Sequence, residues 1–147
     1  MCLTTAVKAD INTVEMIESE IPRNICIESY ELSPRNHDNS ILNHNNSESN
    51  SDNRSAILDN APMNFKNYMG ERKIYGLDKF PCGYYVTNSN GVTNFFSRRG
   101  KRLFYNPKKG DGLYQGQTGE FCGIIFMKGS EKYIAVTELG KGELTKE

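Results

Sequence analysis

The chain has 147 residues, which is enough for one domain of ordinary size. Its 18 Lys/Arg balance its 18 Asp/Glu, and no apolar run is long enough for a membrane-spanning helix, so we expect no membrane insertion. The zero net charge hides a split, because residues 1–60 carry four Lys/Arg and ten Asp/Glu, whereas residues 61–147 carry fourteen and eight. Since fourteen of the fifteen Phe and Tyr residues follow Asn60, the hydrophobic core is predicted in the second part.

Residues 1–32 are predicted to form an acidic N-terminal arm that binds a chaperone or another partner. Apolar side chains at helical spacing follow Asp10, a suitable N-cap, and predict a short helix within residues 8–20. From Asn24 to Leu32, alternating residue types are typical of an extended segment that can add to the edge of a partner's sheet. Charged residues interrupt the amino terminus too early for a signal peptide, so we expect synthesis in the cytoplasm and, for an exported protein, secretion without a cleaved signal.

Residues 33–62 are rich in Asn, Ser and Asp and offer little to bury, so they are predicted to be a disordered linker. Both histidines of the chain, His37 and His44, lie in this segment. The predicted folded part therefore has no histidine for a Ser-His-Asp or Cys-His site, and metal-binding spacings such as HExxH and CxxC do not occur. We expect a protein without enzymatic activity, cofactor or metal.

Residues 63–147 are predicted to form a compact, basic, β-rich (α+β) domain. A short helix is expected over Met63–Met69. Three hairpins are indicated by the pair Asn90-Gly91, by Gly100 and by a turn at residues 128–131. Their five strands in meander order predict a small antiparallel sheet or a partly open barrel.

Residues 106–119, between the second and third hairpins, are predicted to be an exposed loop that contacts a protein partner. Tyr114 precedes Gln117 by three positions, and Tyr-x-x-Gln resembles the phosphotyrosine ligand of STAT-type SH2 domains. Loops held by a rigid sheet commonly carry recognition. The predicted partner-binding residues are Tyr114, Gln117, Lys108 and Lys109.

Two functions from different classes are consistent with these features. The first is a non-enzymatic protein-interaction module. The Asn/Ser/Thr/Ile-rich composition of the first 60 residues is similar to that of bacterial effectors exported without a cleaved signal. That resemblance implies a secreted virulence protein that acts on host proteins through its β-rich C-terminal domain.

The alternative is a single-stranded nucleic-acid-binding module with an acidic autoinhibitory arm. A turn centred near Gly100 places Phe96 opposite Phe104, and the preceding turn places Tyr85 opposite Phe96. A sheet face with aromatic rings beside cations could stack bases and hold phosphates. The other interpretation of the same residues is a sheet packed on both faces, with the arginines at a solvated hairpin tip. The predicted nucleic-acid contacts are Arg98, Arg99, Lys101, Arg102, Phe96 and Phe104.

Overall fold

The computed structural model describes residues 10–13, 29–76, 80–129 and 131–144, and for residues 10–13 the description covers the backbone only. The strands are Asp10–Thr13 (β1), Lys73–Tyr75 (β2), Pro81–Thr87 (β3), Thr93–Ser97 (β4), Arg102–Asn106 (β5), Gly112–Gln115 (β6), Phe121–Lys128 (β7) and Glu131–Val136 (β8). They form one antiparallel sheet in the order β1-β8-β7-β6-β5-β4-β3-β2. Strands β2 to β8 are a simple meander that curves into a half-barrel, and β1 adds to the edge at β8.

The predicted β-rich fold with a partly open barrel is confirmed, but the predicted count of five strands is too low. The missing strands are β1, β2 and β6. Strand β2 has only three residues, and β6 lies among glycines that indicated a loop. Strand β1 falls where a helix was predicted, and it pairs with β8 through Asp10 and Thr13. The free backbone groups at the sheet edge outweigh a weak local helix preference; the rest of the predicted helix lies outside the described residues.

The enclosed, concave face of the half-barrel holds the main hydrophobic core. Strand β3 contributes the partly buried Cys82 and Tyr85, and the other strands from β2 to β8 contribute the buried members, which are Ile74, Phe95, Leu103, Phe104, Leu113, Cys122, Ile134 and Val136. A C-terminal helix that was not predicted, α2 (Glu138–Leu144), follows β8 and packs Leu144 against this cluster. The predicted short helix after Pro62 is confirmed as α1 (Phe65–Tyr68).

Residues 33–67 form five turns of seven residues each, which we call the asparagine spiral. Backbone hydrogen bonds close two β-turns in each seven-residue unit, as from Asn36 N–H to the Ser33 carbonyl and from Asn39 N–H to the Asn36 carbonyl. The last residue of every unit is a buried asparagine. These five residues, which we call the asparagine ladder, are Asn39, Asn46, Asn53, Asn60 and Asn67.

Each side chain of the asparagine ladder ties its own unit to the preceding one. Its Nδ2 donates to the carbonyls six and eight residues earlier, as in Asn46, which donates to Ser40 and Asp38 at 3.0 Å each. Asparagine also occupies the fourth position of four units, where its Oδ1 accepts the backbone N–H two residues later. Side chains therefore supply the hydrogen bonds that turns of this kind need.

The asparagine spiral packs against the convex face of the sheet, so the prediction of a disordered linker is wrong. Three buried tyrosines donate their hydroxyl protons to carbonyls at 2.7 Å: Tyr84 to Asn60, Tyr105 to Asn39 and Tyr114 to Leu32. The Asn-rich composition of residues 33–62 suggested disorder because asparagine side chains are polar. In the structure, however, the asparagine ladder donates hydrogen bonds to backbone carbonyls and is buried. The predicted extended segment ending at Leu32 is also corrected, because Tyr30–Leu32 is a 3-10 turn; residues 24–28 lie outside the described residues.

The strand register differs from the predicted one by one residue. Phe96 lies opposite Tyr84, not Tyr85, and Phe104 lies opposite Phe95, not Phe96. The first hairpin loop is longer than expected, since its turn runs from Asn88 to Gly91, and a bulge at Leu103 shifts the second hairpin. A slip of one residue exchanges the two faces of a strand, so Phe95 enters the concave core and Phe96 faces the asparagine spiral.

Candidate functional site

A buried polar network connects the asparagine spiral with the sheet. Asn53 Oδ1 accepts hydrogen bonds from the Nδ2 atoms of Asn88 and Asn94, both at 2.8 Å. Asn94 lies in β4, and its Oδ1 accepts from Arg102 Nε at 2.7 Å. Arg102 Nη1 donates to the Gly116 carbonyl at 3.2 Å, so the network reaches the turn after β6. The members hold one another in place, because each is hydrogen-bonded to its neighbour in the network.

Arg102 is 7% exposed, and its guanidinium lies over the ring of Tyr105, 4.8 Å from the ring centroid. Burial lowers the pKa of Arg102 to about 10, and electrostatic interactions with Tyr105 and Glu48 oppose the change. The side chain therefore remains a cation at neutral pH. Its Nη2 atom is shielded from solvent and has no hydrogen-bond partner among the described residues.

A cavity of about 150 Å³ lies between the asparagine spiral and the hairpin that joins β4 to β5. We call it the Arg102 cavity; its lining residues are Glu48, Asn53, Arg54, Ser55, Gly100 and Arg102. The hairpin approaches closely because Gly100 has no side chain and adopts a φ of +90°. A Cβ atom there would lie 3.2 Å from Ser55 Cβ and 3.1 Å from Pro62 Cδ. The cavity thus has two cationic side chains and one carboxylate in its wall.

The residues predicted to bind nucleic acid do not form one surface. Phe96 and Phe104 are both fully buried, and they lie on opposite faces of the sheet, so the predicted stacking face is wrong. Arg102 is buried in the polar network. Arg98 and Arg99 are exposed at the hairpin tip and Lys101 is half-buried beside them. Aromatic rings are buried on both faces because the asparagine spiral covers the face that was expected to be open.

The predicted partner contact at Tyr114 is also wrong. Tyr114 belongs to β6, its ring is fully buried, and its hydroxyl bonds to the Leu32 carbonyl under the asparagine spiral. A kinase or an SH2 domain could not reach this hydroxyl in the folded protein. Gln117, Lys108 and Lys109 are exposed, but Tyr114, the residue on which the Tyr-x-x-Gln motif depends, is buried and does not share a surface with them.

The described cysteines give no indication of a reactive thiol. Cys122 is fully buried, and burial together with the nearby carboxylates of Glu143 and Glu120 raises the pKa of its thiol to about 12. Glu143 is also buried, where its Oε1 accepts a hydrogen bond from Gln115 Nε2 at 3.1 Å. A thiol that stays protonated at neutral pH is a weak nucleophile, so these groups are best explained as packing between β6, β7 and α2.

The last two units of the asparagine spiral present large apolar side chains to solvent. Leu58 and Phe65 occupy equivalent positions in successive units and are 81% and 65% exposed. Met63 is 80% exposed, and Tyr68 contacts Phe65 edge to face at 6.0 Å between ring centroids. We call Leu58, Met63, Phe65, Tyr68 and Met69 the apolar patch. Exposed apolar clusters of this kind are typical of binding surfaces.

Sequence reasoning missed both the apolar patch and the polar network, although one signal for them was present. The spacing of seven between Asn39, Asn46, Asn53, Asn60 and Asn67 is a repeat, and repeats of fixed period indicate stacked structural units. With the repeat aligned, Leu58 and Phe65 fall at the position that His37 and His44 occupy in earlier units. This position faces solvent, so an apolar residue there indicates a binding surface.

Within the described parts of the chain, no group of three or more His, Cys, Asp or Glu side chains is placed to hold a metal ion. The same residues contain no helix with the length and apolar character needed to cross a membrane. Comparison of the chain with models of known protein families, with curated proteins and with solved structures gave no match. Function must therefore be argued from the geometry.

Proposed function

We propose that this protein is a non-enzymatic protein-interaction module and that its partner binds the apolar patch. The observation that carries the proposal is the exposure of five large apolar side chains, three on the last two units of the asparagine spiral and two on the residues that follow it directly. Each such side chain contributes about 1.5–3 kcal/mol when a partner removes it fully from water. Several of them side by side can support a specific contact, whereas the single exposed apolar side chains elsewhere on the surface cannot.

The asparagine spiral suits recognition because its shape is fixed before the partner arrives. The asparagine ladder closes every unit, and Tyr84 anchors the fourth unit to the sheet through the Asn60 carbonyl. Arg72 adds a hydrogen-bonded ion pair of 2.9 Å to Asp59, next to Leu58. Little conformational entropy is then lost from this side of the contact on binding.

The proposal that this module is an exported bacterial effector now has narrower support. Part of that resemblance came from the Asn/Ser richness of residues 33–60, and the seven-residue repeat gives this composition a structural reason. The remaining support is the composition of residues 1–32. We retain export without a cleaved signal as a proposal, with a host protein as the partner of the apolar patch.

The nucleic-acid alternative receives no comparable support. Stacking of bases requires accessible rings, and both predicted rings are buried. Arg98, Arg99 and Lys101 near the hairpin tip could contribute electrostatic attraction to phosphate, which by itself gives weak and strongly salt-dependent binding.

The test compares three single substitutions in the full chain. Leu58→Ser and Phe65→Ser should each weaken capture of the partner from a eukaryotic lysate by tenfold or more, because each removes a contact of about 1.5 kcal/mol or more. Leu42→Ser is the matched control, since Leu42 is 89% exposed on the second unit, away from the apolar patch. All three should retain native thermal stability.

Two results would contradict the proposal. One is a partner that binds the Leu58 and Phe65 variants as tightly as the native chain. The other is a change in oligomeric state: if sedimentation shows a native dimer that Phe65→Ser converts to a monomer, the apolar patch joins copies of this chain. A nuclease-treated lysate excludes capture through nucleic acid.

A further inference from the structure

We infer that His37 and His44 form a binding site for a divalent transition-metal ion such as Zn²⁺ on the outer surface of the asparagine spiral. The inference goes beyond the protein interaction proposed above and does not depend on the apolar patch. These residues are the only two histidines of the chain, and both are exposed at the fifth position of consecutive units. The sequence predicted no metal site because it placed both residues in a disordered linker, and the ordered asparagine spiral removes that reason.

The backbone holds the two histidines in the same orientation. Each histidine carbonyl accepts the backbone N–H three residues later at 3.2 Å. Each also accepts the side-chain Nδ2 six residues later, which is Asn43 for His37 at 3.2 Å and Asn50 for His44 at 3.3 Å. Because the hydrogen bonds are the same, the two side chains leave the asparagine spiral from equivalent points and on the same side. The bonds from Asn43 and Asn50 also cross from one unit to the next, so consecutive units are in direct contact.

The spacing of the units follows from the strands that lie beneath them. Tyr105 in β5 is paired with Tyr114 in β6, and their ring centroids are 5.5 Å apart. Their hydroxyls donate to the carbonyls of Asn39 and Leu32, which are seven residues apart in the chain and therefore occupy equivalent positions in successive turns. Consecutive units are thus roughly 5 Å apart, which is the spacing of neighbouring strands in a sheet. The side chains of the two histidines begin at this separation.

Two imidazoles at this separation can bind one metal ion together. Tetrahedral Zn²⁺ with Zn–N bonds of about 2.0–2.1 Å requires the two ring nitrogens to lie roughly 3.3 Å apart. Rotation of two exposed side chains that start one strand spacing apart brings their rings this close. Neither ring forms a hydrogen bond or an ion pair with another of the described residues, so a metal ion does not have to displace a partner. Imidazole is a preferred ligand of Zn, Cu and Ni, whereas Mg and Ca prefer oxygen ligands.

The charge around the histidine pair favours a cation. Residues 33–53, the first three units of the asparagine spiral, contain the cation Arg35 and the three carboxylates of Asp38, Glu48 and Asp52, which gives a net charge of −2. Among the described residues, no third His, Cys, Asp or Glu side chain joins the pair as a metal ligand. The chain therefore supplies two ligands, and the remaining positions of a tetrahedral ion are filled by water or by a ligand from another molecule.

Titration of the full chain with zinc chloride, followed by NMR of the histidine ring signals, tests the site. Because the chain has only two histidines, the single variants His37→Ser and His44→Ser assign both signals. We expect the two rings to shift together and to saturate at one Zn²⁺ per chain. Each single variant should weaken Zn²⁺ binding at the remaining ring by about 100-fold, because the second ligand no longer acts at a high effective concentration. Serine is a mild replacement, since Ser51 occupies the same position in the third unit.

Two double variants with the same composition test whether the histidines must be adjacent. His37→Ser combined with Ser51→His again places two histidines on consecutive units, and this variant should bind Zn²⁺ about as tightly as the native chain. His44→Ser combined with Ser51→His places them two units apart, at roughly 10 Å, which is too far for one ion to contact both rings. This second variant should bind Zn²⁺ as weakly as the single variants.

Thermal unfolding of each variant establishes that it is folded, which we expect because all the replaced side chains are exposed. Three outcomes would overturn the inference. The first is independent titration of the two rings in the native chain. The second is equal Zn²⁺ affinity of the two double variants. The third is a Zn²⁺ affinity that His37→Ser and His44→Ser leave unchanged, which would assign the metal to other residues, such as the cysteines.

Discussion

Replacing Asn53 with alanine removes four hydrogen bonds at the centre of the contact between the asparagine spiral and the sheet. Its Nδ2 donates to the carbonyls of Asn45 and Ser47, and its Oδ1 accepts from Asn88 and Asn94. A hydrogen bond contributes about 1 kcal/mol net, and buried groups left without a partner cost at least as much. We therefore expect the free energy of unfolding to fall by about 4 kcal/mol.

Asn46→Ala is the matched comparison, because Asn46 occupies the same position one unit earlier. Its side chain makes the same two bonds to backbone carbonyls, to Asp38 and Ser40, and its Oδ1 accepts no hydrogen bond from the described residues. The expected loss is about 2 kcal/mol, half that of Asn53→Ala. The difference between the variants isolates the bonds that join the asparagine spiral to the sheet.

The assay is urea unfolding of both variants and the native chain, followed by circular dichroism. With a urea dependence of about 2 kcal/mol per M, the midpoint should fall by about 2 M for Asn53→Ala and about 1 M for Asn46→Ala. Equal midpoints for the two variants would refute the role of Asn88 and Asn94. Losses below about 0.5 kcal/mol in both would refute an asparagine ladder that contributes to global stability.

Three further predictions follow from the same contact. Tyr114→Phe should lower the free energy of unfolding by about 1–2 kcal/mol by leaving the Leu32 carbonyl unpaired, whereas Tyr30→Phe, on an exposed side chain, should have no measurable effect in the same urea assay. Burial raises the pKa of Tyr84, Tyr105 and Tyr114 above the usual value of 10.0. The folded chain then keeps protons that the unfolded chain loses, so stability should be complete below pH 10 and fall by about 4 kcal/mol per pH unit above it. Tyrosinate absorbance that shows all eight rings ionised while circular dichroism remains native would contradict this. Deletion of residues 1–60 should yield an unfolded or aggregated fragment, because it removes β1 and most of the asparagine spiral from the sheet. Limited proteolysis of the full chain that cuts first between Ser33 and Asn60 would contradict this prediction.

The strong local signals in the C-terminal part of the chain predicted its three hairpins correctly. Asn90-Gly91 and Gly100 both indicated hairpins, and both glycines adopt positive φ at the ends of β-turns. The aromatic residues after Asn60 located the main core. The predicted strand registers were wrong by one residue. The five-residue loop and the bulge at Leu103 that set the observed registers are determined by packing on both faces of the sheet, which a turn motif does not encode.

Predictions of sites failed where exposure had to be inferred from polarity. Tyr114 and Arg102 both looked like surface residues, since glycines flank the first and cations surround the second. Both are buried because the asparagine spiral covers them. The residues around each of them in the sequence do not indicate that a distant segment packs over it. The apolar patch could have been located only after the seven-residue repeat had been aligned.

The sequence by itself determined the β-rich class, the hairpins and the position of the aromatic core, because turn chemistry and apolar periodicity act over a few residues. It also contained the spacing of the asparagine ladder, since the Nδ2 atom of each of those side chains donates to carbonyls six and eight residues back. Tertiary structure alone decided which face of each strand is enclosed, how far Arg102 is buried and where apolar side chains remain exposed. Those properties depend on contacts between segments that lie far apart in the chain, such as the 66 residues separating Asn39 from Tyr105.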